Sequence, residues 1–347
     1  MKPVAEQSVL PDPTRKEDRQ AAFAGIDVGG TSIKIGIVDE RQNVVGHQRL
    51  RTAEYPTASA AMQQVQRLVE QSLNTLGGLS LEAIGLASPG LVSDDRLTET
   101  SNLGHWEGER LTELIERTFG RPVTVMNDAA AAAVAEHHVR RVRSLCLITL
   151  GTGVGCGLII DDQPFTGYSG FGGELGHMVV DAATDARICP CGRPGHLEAF
   201  AGAAGVVQTA RERLRGSTSR LATIPAHELT PETLFHAADA SDAVALDVIA
   251  ATAQKLAIAI AGVAHVLGPM TFLLGGAMTF GGSQSAVGRG FLDAIRQHVE
   301  RLSLRETGRH LSIEFASLGN DAGVIGAALL ARRHQHEHDV HHLRTNT

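Results

Sequence analysis

One local pattern occurs twice in this chain, and it constrains the fold more than any other feature. Residues 23–39 consist of an apolar run ending in Asp27, a glycine turn, and a second apolar run that ends in a polar cluster. Residues 145–160 repeat this arrangement around Gly151, Thr152 and Gly153. Each copy is typical of a strand, a tight turn and a second strand. Since helical segments follow each copy, the repetition predicts two similar α/β domains facing a cleft rather than two unrelated hairpins.

The length and composition agree with a folded two-domain protein. The 347 residues are 43% hydrophobic and 20% charged, which excludes a disordered or fibrous chain. The net charge is −7 without any basic block, so a nucleic-acid groove or an anionic membrane surface is disfavoured. The best apolar stretch, residues 256–267, contains His265 and is too short to span a membrane. We therefore expect neither nucleic acid nor a membrane as a partner.

Both ends of the chain are predicted to be tails. Residues 1–21 carry prolines and a charged run instead of an export signal, which predicts a disordered tail and a cytoplasmic protein. Residues 334–347 are rich in histidine and predict a polar end rather than a metal site. Between the ends, hydrophobic spacing predicts helices over residues 58–76, 111–119 and 246–266, strands over 84–90 and 270–274, and helices beginning at Asn127-Asp128 and Asn320-Asp321, the last ending near Arg333.

Many of the 38 glycines lie where a backbone would approach a ligand closely. Without Cβ atoms, a turn lets backbone N–H groups close on a phosphate, and a preceding carboxylate can hold Mg²⁺. The first turn offers Asp27, Gly29, Gly30, Thr31 and Lys34; the second offers Gly151, Thr152 and Gly153; a third, Gly275 and Gly276, suits the adenosine part of a nucleotide. Gly25 is counted with the first turn. A glycine pair is also common in hairpin turns that bind no ligand, but two such turns on duplicated domains favour a nucleotide clamp.

Three acidic residues are candidates for the chemistry. Asp128 follows a predicted strand, and open α/β sheets bind ligands at the carboxyl ends of their strands. A kinase needs one carboxylate there to orient the attacking hydroxyl and accept its proton. The alternative is that Asp128 only caps a helix. Glu174 and Glu198 are candidates for binding a polyhydroxylated ligand, or are simply surface acids.

The most specific local motif is a cluster of histidine and cysteine residues that could bind a metal ion. His177, Cys189, Cys191 and His196 lie within twenty residues of one another in a loop rich in glycine and proline, which suits a tetrahedral Zn²⁺ site. Four protein ligands leave no open position, so the metal is expected to be structural. The alternative is a reduced loop without metal. Cys146 and Cys156 lie on predicted strands and are interpreted as small buried hydrophobic residues.

Several segments together resemble the ROK sugar kinases and repressors, above all the bacterial glucokinases. In the family's order they are Asp27-Val-Gly-Gly-Thr31, Ala87-Ser-Pro-Gly90, Ser101-Asn-Leu-Gly-His-Trp106, Asn127-Asp128, Leu150-Gly-Thr-Gly-Val-Gly155, Gly173-Glu-Leu-Gly-His177, Cys189-Pro-Cys-Gly192 through Glu198, and Leu274-Gly-Gly276. The resemblance implies an actin-like (ribonuclease H-like) fold whose two domains close on ATP, Mg²⁺ and a sugar. It also implies a small domain of residues 22–132 plus 320–333, a large domain of residues 133–319 with the zinc loop, and a homo-oligomer, since relatives are commonly dimers or tetramers.

The resemblance further implies residue roles. Asp128 would be the catalytic base that takes the proton from the sugar's 6-hydroxyl, and the sugar hydroxyls would be held by Asn127, Glu174, His177 and Glu198, with Gly90 and Asn102 as further candidates. Where the family has a third cysteine, this chain has His196, which is itself a good zinc ligand.

Two questions of function stay open at this point. The preferred substrate is expected to be glucose, but mannose, N-acetylmannosamine and N-acetylglucosamine share the hydroxyls these residues would bind, and polyphosphate is an alternative donor. The chain is expected to be an enzyme rather than a sugar-sensing repressor, because only 26 residues precede Asp27, too few for a winged helix-turn-helix.

Overall fold

The structure is a computed structural model that describes residues 20–77, 79–93, 96–98, 103, 106, 108–268 and 270–345. Asn102 and nearly all of the predicted N-terminal tail lie outside the described residues. The strands are β1 Ala21–Val28, β2 Ser32–Asp39, β3 Val44–Arg51, β4 Ser80–Ser88, β5 Leu91–Ser93, β6 Arg96–Thr98, β7 Val123–Asn127, β8 Leu145–Leu150, β9 Val154–Ile160, β10 Gln163–Phe165, β11 Thr271–Gly275 and β12 Ser312–Phe315. The helices are α1 Ala58–Thr75, α2 Leu111–Phe119, α3 Asp128–Arg140, α4 Glu198–Ala201, α5 Ala203–Leu214, α6 Pro231–Asp239, α7 Ala243–Leu267, α8 Ala286–Leu302, α9 Arg305–Arg309 and α10 Ala322–Thr345.

The chain divides into two compact units. The described residues within Met1–Ala131 and Gly323–Thr347 form the first unit, and Ala132–Ala322 form the second. The boundaries fall in α3 and at the start of α10.

The two units contain sheets of the same topology. The first has strand order β3-β2-β1-β4-β7, and the second has β10-β9-β8-β11-β12. In each, three strands pair antiparallel through the hairpin, and two further strands are added in parallel. Parallel addition needs a crossover connection, which helical segments supply. The predicted duplication is therefore present at the level of whole sheets.

Helix α7 lies in the core of the second unit. In the part of the chain that the structure describes, it is the one helix long and apolar enough to cross a membrane by length and composition. Half of that stretch is buried inside the protein, where Val248, Leu256 and Ile260 belong to the main hydrophobic cluster. The buried positions of α7 are apolar because they pack in this cluster.

Helix α10 packs unusually close to the first sheet across a row of glycines. Gly36, Gly25 and Gly85 are register partners on β2, β1 and β4. A Cβ atom at Gly25 would overlap the carbonyl oxygen of Val324 on α10, and one at Gly85 would overlap that of Ala327. Gly25 therefore serves helix–sheet packing, and its assignment to the phosphate turn is wrong. Short-range patterns miss this role because the partner helix begins about three hundred residues later.

The glycine row gives a stability prediction. Because the methyl group of Gly85→Ala would meet backbone rather than a movable side chain, overpacking should destabilise the protein by about 1–3 kcal/mol, measured as a lower midpoint in urea unfolding. Gly290→Ala is the matched control, because Gly290 lies on α8 with nothing within 4 Å of the added Cβ. That change should be neutral or slightly stabilising. Equal midpoints for the two variants would contradict the close packing.

The helix that begins after Asn320-Asp321 is longer than the sequence pattern suggests. α10 continues to Thr345, through the segment interpreted as a histidine-rich tail, instead of ending near Arg333. Beyond Gly326 this segment contains neither glycine nor proline, so nothing in it interrupts helical hydrogen bonding.

Candidate functional site

The turn between β1 and β2 is held in shape by its own backbone and by Thr52. Gly29 N donates to Ser32 O over 2.9 Å, and Thr52 Oγ1 donates to Gly29 O over 2.6 Å. Gly30 and Thr31 are exposed at its tip. Asp27 and Lys34 are cross-strand partners whose Oδ2 and Nζ atoms lie 3.1 Å apart. The predicted phosphate residues of the first unit are thus brought together, with Lys34 paired to the acid rather than separate from it.

The second turn, between β8 and β9, is anchored by the start of α5. Ala203 N donates to Gly151 O over 3.0 Å, and Gly151 N donates to Gly153 O over 3.0 Å. Glu198 also contacts this turn, because its Oε2 accepts a hydrogen bond from Val154 N at 2.9 Å. A Cβ on Gly153 would overlap the same carboxylate oxygen, so glycine at this position leaves room for Glu198 to reach the turn. The contact joins a candidate sugar ligand to a candidate phosphate turn, which the sequence did not suggest.

The third glycine turn forms one side of a cavity of about 250 Å³ in the second unit. Gly276 has φ +88°, and its Cα lies against the backbone of Leu150, where a Cβ would overlap. Leu147, Leu274 and Phe315 give the cavity apolar walls. Polar side chains also line it, namely Thr149, Thr279, Ser283, Gln284 and Glu136. An apolar slot with a few polar groups is the kind of site that takes a nucleobase or another flat ring.

Asp128 is the first residue of α3, directly after β7. Asn127 performs most of the helix capping, since its Oδ1 accepts from Ala129 N at 2.9 Å and from Ala130 N at 3.3 Å. Its Nδ2 donates to Gly90 O over 3.2 Å, which ties the β4 end to the β7 end. Asp128 Oδ1 also accepts from Ala129 N, at 2.7 Å. Because Asn127 supplies the cap, capping alone does not account for the carboxylate of Asp128.

The four predicted metal ligands lie together in the second unit. One ligand atom from each of His177, Cys189, Cys191 and His196 falls within 4.8 Å of all the others. Nδ1 of His196 is 3.3 Å from Nδ1 of His177 and 3.2 Å from Sγ of Cys191. Tetrahedral zinc with nitrogen and sulfur ligands places ligand atoms about 3.3–3.8 Å apart, from bond lengths of ~2.0–2.3 Å. The donor set therefore fits a metal ion of this kind, and the two pairs at 3.2 and 3.3 Å have about the spacing that it requires.

Local pairing explains how this cluster forms. Val179 forms an isolated antiparallel β-bridge with His196, and Ile188 forms one with Pro194, so the loop folds back on itself.

Burial raises the pKa of Cys189 to about 11, and burial together with the charge of His177 lowers the pKa of His196. A metal that binds the Cys189 thiolate must therefore displace its proton, so metal affinity falls as pH falls.

The metal cluster and the candidate sugar ligands share side chains. Nδ1 of His177 faces the cluster, while its Nε2 lies 3.8 Å from Oε2 of Glu174. Oε1 of Glu198 lies 3.9 Å from Sγ of Cys189. Of the three predicted sugar ligands of the second unit, His177 thus belongs to the cluster, Glu174 lies beside His177, and Glu198 lies beside Cys189.

Sequence reasoning missed Arg187, which joins the loop of the candidate metal ligands, residues 177–196, to α4 and α5. Its guanidinium donates to Ala199 O at 2.9 Å and to Gly205 O at 3.0 Å, and it lies 4.8 Å from the ring centre of Phe200. Ala199 directly follows Glu198, so this contact fixes the turn of helix that carries the carboxylate. An isolated arginine in a loop gives no sequence signal for such a role.

Duplicated sheets, each with a glycine turn after its first strand, define an actin-like α/β protein, and comparison with known proteins specifies the family. The chain belongs to the ROK family, whose profile matches residues 23–334. It is 33% identical to a glucokinase from Halalkalibacterium halodurans over 90% of this chain and 96% of that protein. It is 30% identical to an N-acetylmannosamine kinase from Salmonella typhi over 88% of this chain and 97% of that protein.

A solved structure supports the fold. The chain is similar to a ROK family glucokinase from Streptomyces griseus in complex with glucose and AMPPNP, with a TM-score of 0.72 and 30% identity, over 90% of this chain and 99% of that one. The predicted family and the actin-like fold class are confirmed.

Proposed function

We propose that this protein is an ATP-dependent sugar kinase that phosphorylates a hexose at its 6-hydroxyl, with glucose as the preferred substrate and glucose 6-phosphate as the product. One observation carries the proposal: a carboxylate at the end of a parallel strand, Asp128, beside a separate capping residue, Asn127. Phosphoryl transfer is mostly positioning and charge neutralisation, and it leaves one carboxylate to orient the hydroxyl and take its proton. The similarity to glucokinases supports the substrate class.

The proposal assigns roles in each unit separately. In the first unit, Asp128 is the base, Asn127, Gly90 and Asn102 contact sugar hydroxyls, and the turn with Asp27, Gly29, Gly30, Thr31 and Lys34 serves phosphates and Mg²⁺. In the second unit, Glu174, His177 and Glu198 contact sugar hydroxyls, Gly151, Thr152 and Gly153 serve phosphates, and Gly275 and Gly276 border the adenosine. Mg²⁺ supplies charge neutralisation when it is bound with ATP.

Zinc has a structural role in this proposal. The ion would be held by His177, Cys189, Cys191 and His196. With four protein ligands, a tetrahedral ion has no coordination position open to water or substrate. The ion would then fix the metal loop, and through it His177 and Glu198. We also propose a cytoplasmic homo-oligomer.

An N-acetylmannosamine kinase is the second candidate function, because a relative of that activity is 30% identical. Mannose and N-acetylglucosamine are further alternatives, as is polyphosphate in place of ATP. A sugar-sensing regulator without activity would lack turnover with every sugar.

A sugar panel tests these candidates directly. Coupled ADP-release assays with ATP should give the highest kcat/KM for glucose among glucose, mannose, N-acetylmannosamine and N-acetylglucosamine. 6-Deoxyglucose should inhibit without being turned over, because it lacks the accepting hydroxyl. A higher kcat/KM for N-acetylmannosamine would replace glucose by the second candidate. Absence of turnover with all four sugars and ATP would overturn the kinase proposal.

A further inference from the structure

Helix α3 carries a fully buried carboxylate that the proposed chemistry does not use. Glu136 is 0% exposed, and its Oε1 accepts hydrogen bonds from Ser317 N at 2.6 Å and Leu318 N at 2.7 Å. Its Oε2 accepts from Ser317 Oγ at 3.0 Å. Burying a carboxylate is costly unless its oxygens are paired, and here three donors from two adjacent residues pair them. The acid therefore binds one short piece of chain.

One helical turn later, Arg140 binds the residues just before that piece. Its Nη1 lies 2.5 Å from Oε2 of Glu314, and its Nη2 donates to Phe315 O over 2.7 Å. Arg140 also lies beside Glu136, with 3.6 Å between Nε and Oε2. Positions i and i+4 share one face of a helix, so this face of α3 holds residues 314–318 through both side-chain and backbone groups.

The segment held in this way forms a wall of the cavity in the second unit. Phe315, Ala316 and Gly319 all line that cavity. β12 ends at Phe315, and Ala316 N makes one more bond, to Leu274 O at 2.9 Å. Between there and α10 the chain has only a short 3-10 turn, Gly319–Asp321. With so little regular structure of its own, the wall depends on α3 for its position.

We propose that Glu136 and Arg140 are positioning residues for the nucleotide, which set the wall of the adenosine pocket by holding residues 314–318. The inference rests on the proposed function, in which this cavity takes the adenosine of ATP. Glu136 itself borders the cavity. Both of its carboxylate oxygens are bound to Ser317 and Leu318, however, so the carboxylate acts through the segment. Neither residue belongs to the proposed sugar or phosphate ligands. Their loss should therefore weaken nucleotide binding without weakening sugar binding.

The test uses two independent variants of the whole protein, Glu136→Gln and Arg140→Met. Charge-assisted hydrogen bonds are lost in each, so KM for ATP should rise about tenfold or more, while KM for the sugar stays within about twofold. Arg143→Met is the matched control, because Arg143 makes an ion pair with Asp161 in which both side chains are well exposed. This control should leave both KM values unchanged.

The outcomes separate the inference from the function on which it rests. An unchanged KM for ATP in both variants, or an equal rise in the two KM values, would overturn the positioning role while the kinase proposal stands. If the wild type phosphorylates no sugar, the positioning role is tested instead by measuring ADP binding with calorimetry. A wild type that binds ADP with variants about tenfold weaker supports the positioning role, and a wild type that binds no nucleotide overturns it.

Discussion

Asp128→Asn is expected to lower kcat for sugar phosphorylation by about 10²- to 10⁴-fold, the usual contribution of a general base. The amide keeps the size of the side chain and a carbonyl oxygen that can still accept from Ala129 N, so the start of α3 should persist. An amide cannot take a proton from the sugar's 6-hydroxyl. Because the lost interaction belongs to the transition state, KM values for glucose and ATP should change much less than kcat.

The control for this variant is Asp239→Asn, which removes an exposed carboxylate at the end of α6. Its kcat should equal that of the wild type. Glucose binding by Asp128→Asn, measured by calorimetry, separates loss of chemistry from loss of the site. Near-normal turnover with folded Asp128→Asn would refute the assigned base.

The second large effect concerns the metal. The wild type, prepared without chelator, is expected to contain about one zinc per chain by mass spectrometry, and the Cys189→Ala/Cys191→Ala double variant none. Structural zinc contributes folding free energy directly, so the double variant should lose several kcal/mol of stability. It should also bind sugar more weakly, because His177 and Glu198 contact the same cluster.

Cys156→Ala is the matched control, since Cys156 is a buried cysteine whose Sγ lies 3.6 Å from Sγ of Cys146. It should keep its zinc. Titration to lower pH should release zinc from the wild type, because protons compete with the metal for the Cys189 thiolate. A wild type without bound metal would contradict the site, whatever the activity.

Much of the local structure followed from short-range patterns. Apolar periodicity predicts a helix over residues 58–76, and α1 spans Ala58–Thr75. The glycine turns at Gly29 and Gly151 separate the two strands of each pair, as expected. These features depend on residues a few positions apart, which a sequence displays directly. The same holds for the metal ligands, because the whole cluster is contained within twenty residues.

The roles of residues that contact distant parts of the chain could not be predicted from the sequence. Gly25 was assigned to a phosphate loop, although the requirement comes from Val324 on α10. Arg187 and Glu136 looked like ordinary polar residues, but their acceptors and donors lie on other elements. Such roles depend on which surfaces meet after the chain has folded, and no spacing in the sequence encodes that directly.

The sequence by itself therefore determined the duplicated strand–turn–strand units, the position of Asp128 after a strand, and the set of candidate metal ligands, because each is a local arrangement. The tertiary structure decided that both units carry the same five-strand order, that α10 packs against a row of glycines, and that Asn127 caps α3 beside Asp128. It also decided that α3 holds residues 314–318, which border the cavity of the second unit, through Glu136 and Arg140. Each of these is a contact between elements distant in the chain, where packing and pairing of buried groups set the outcome.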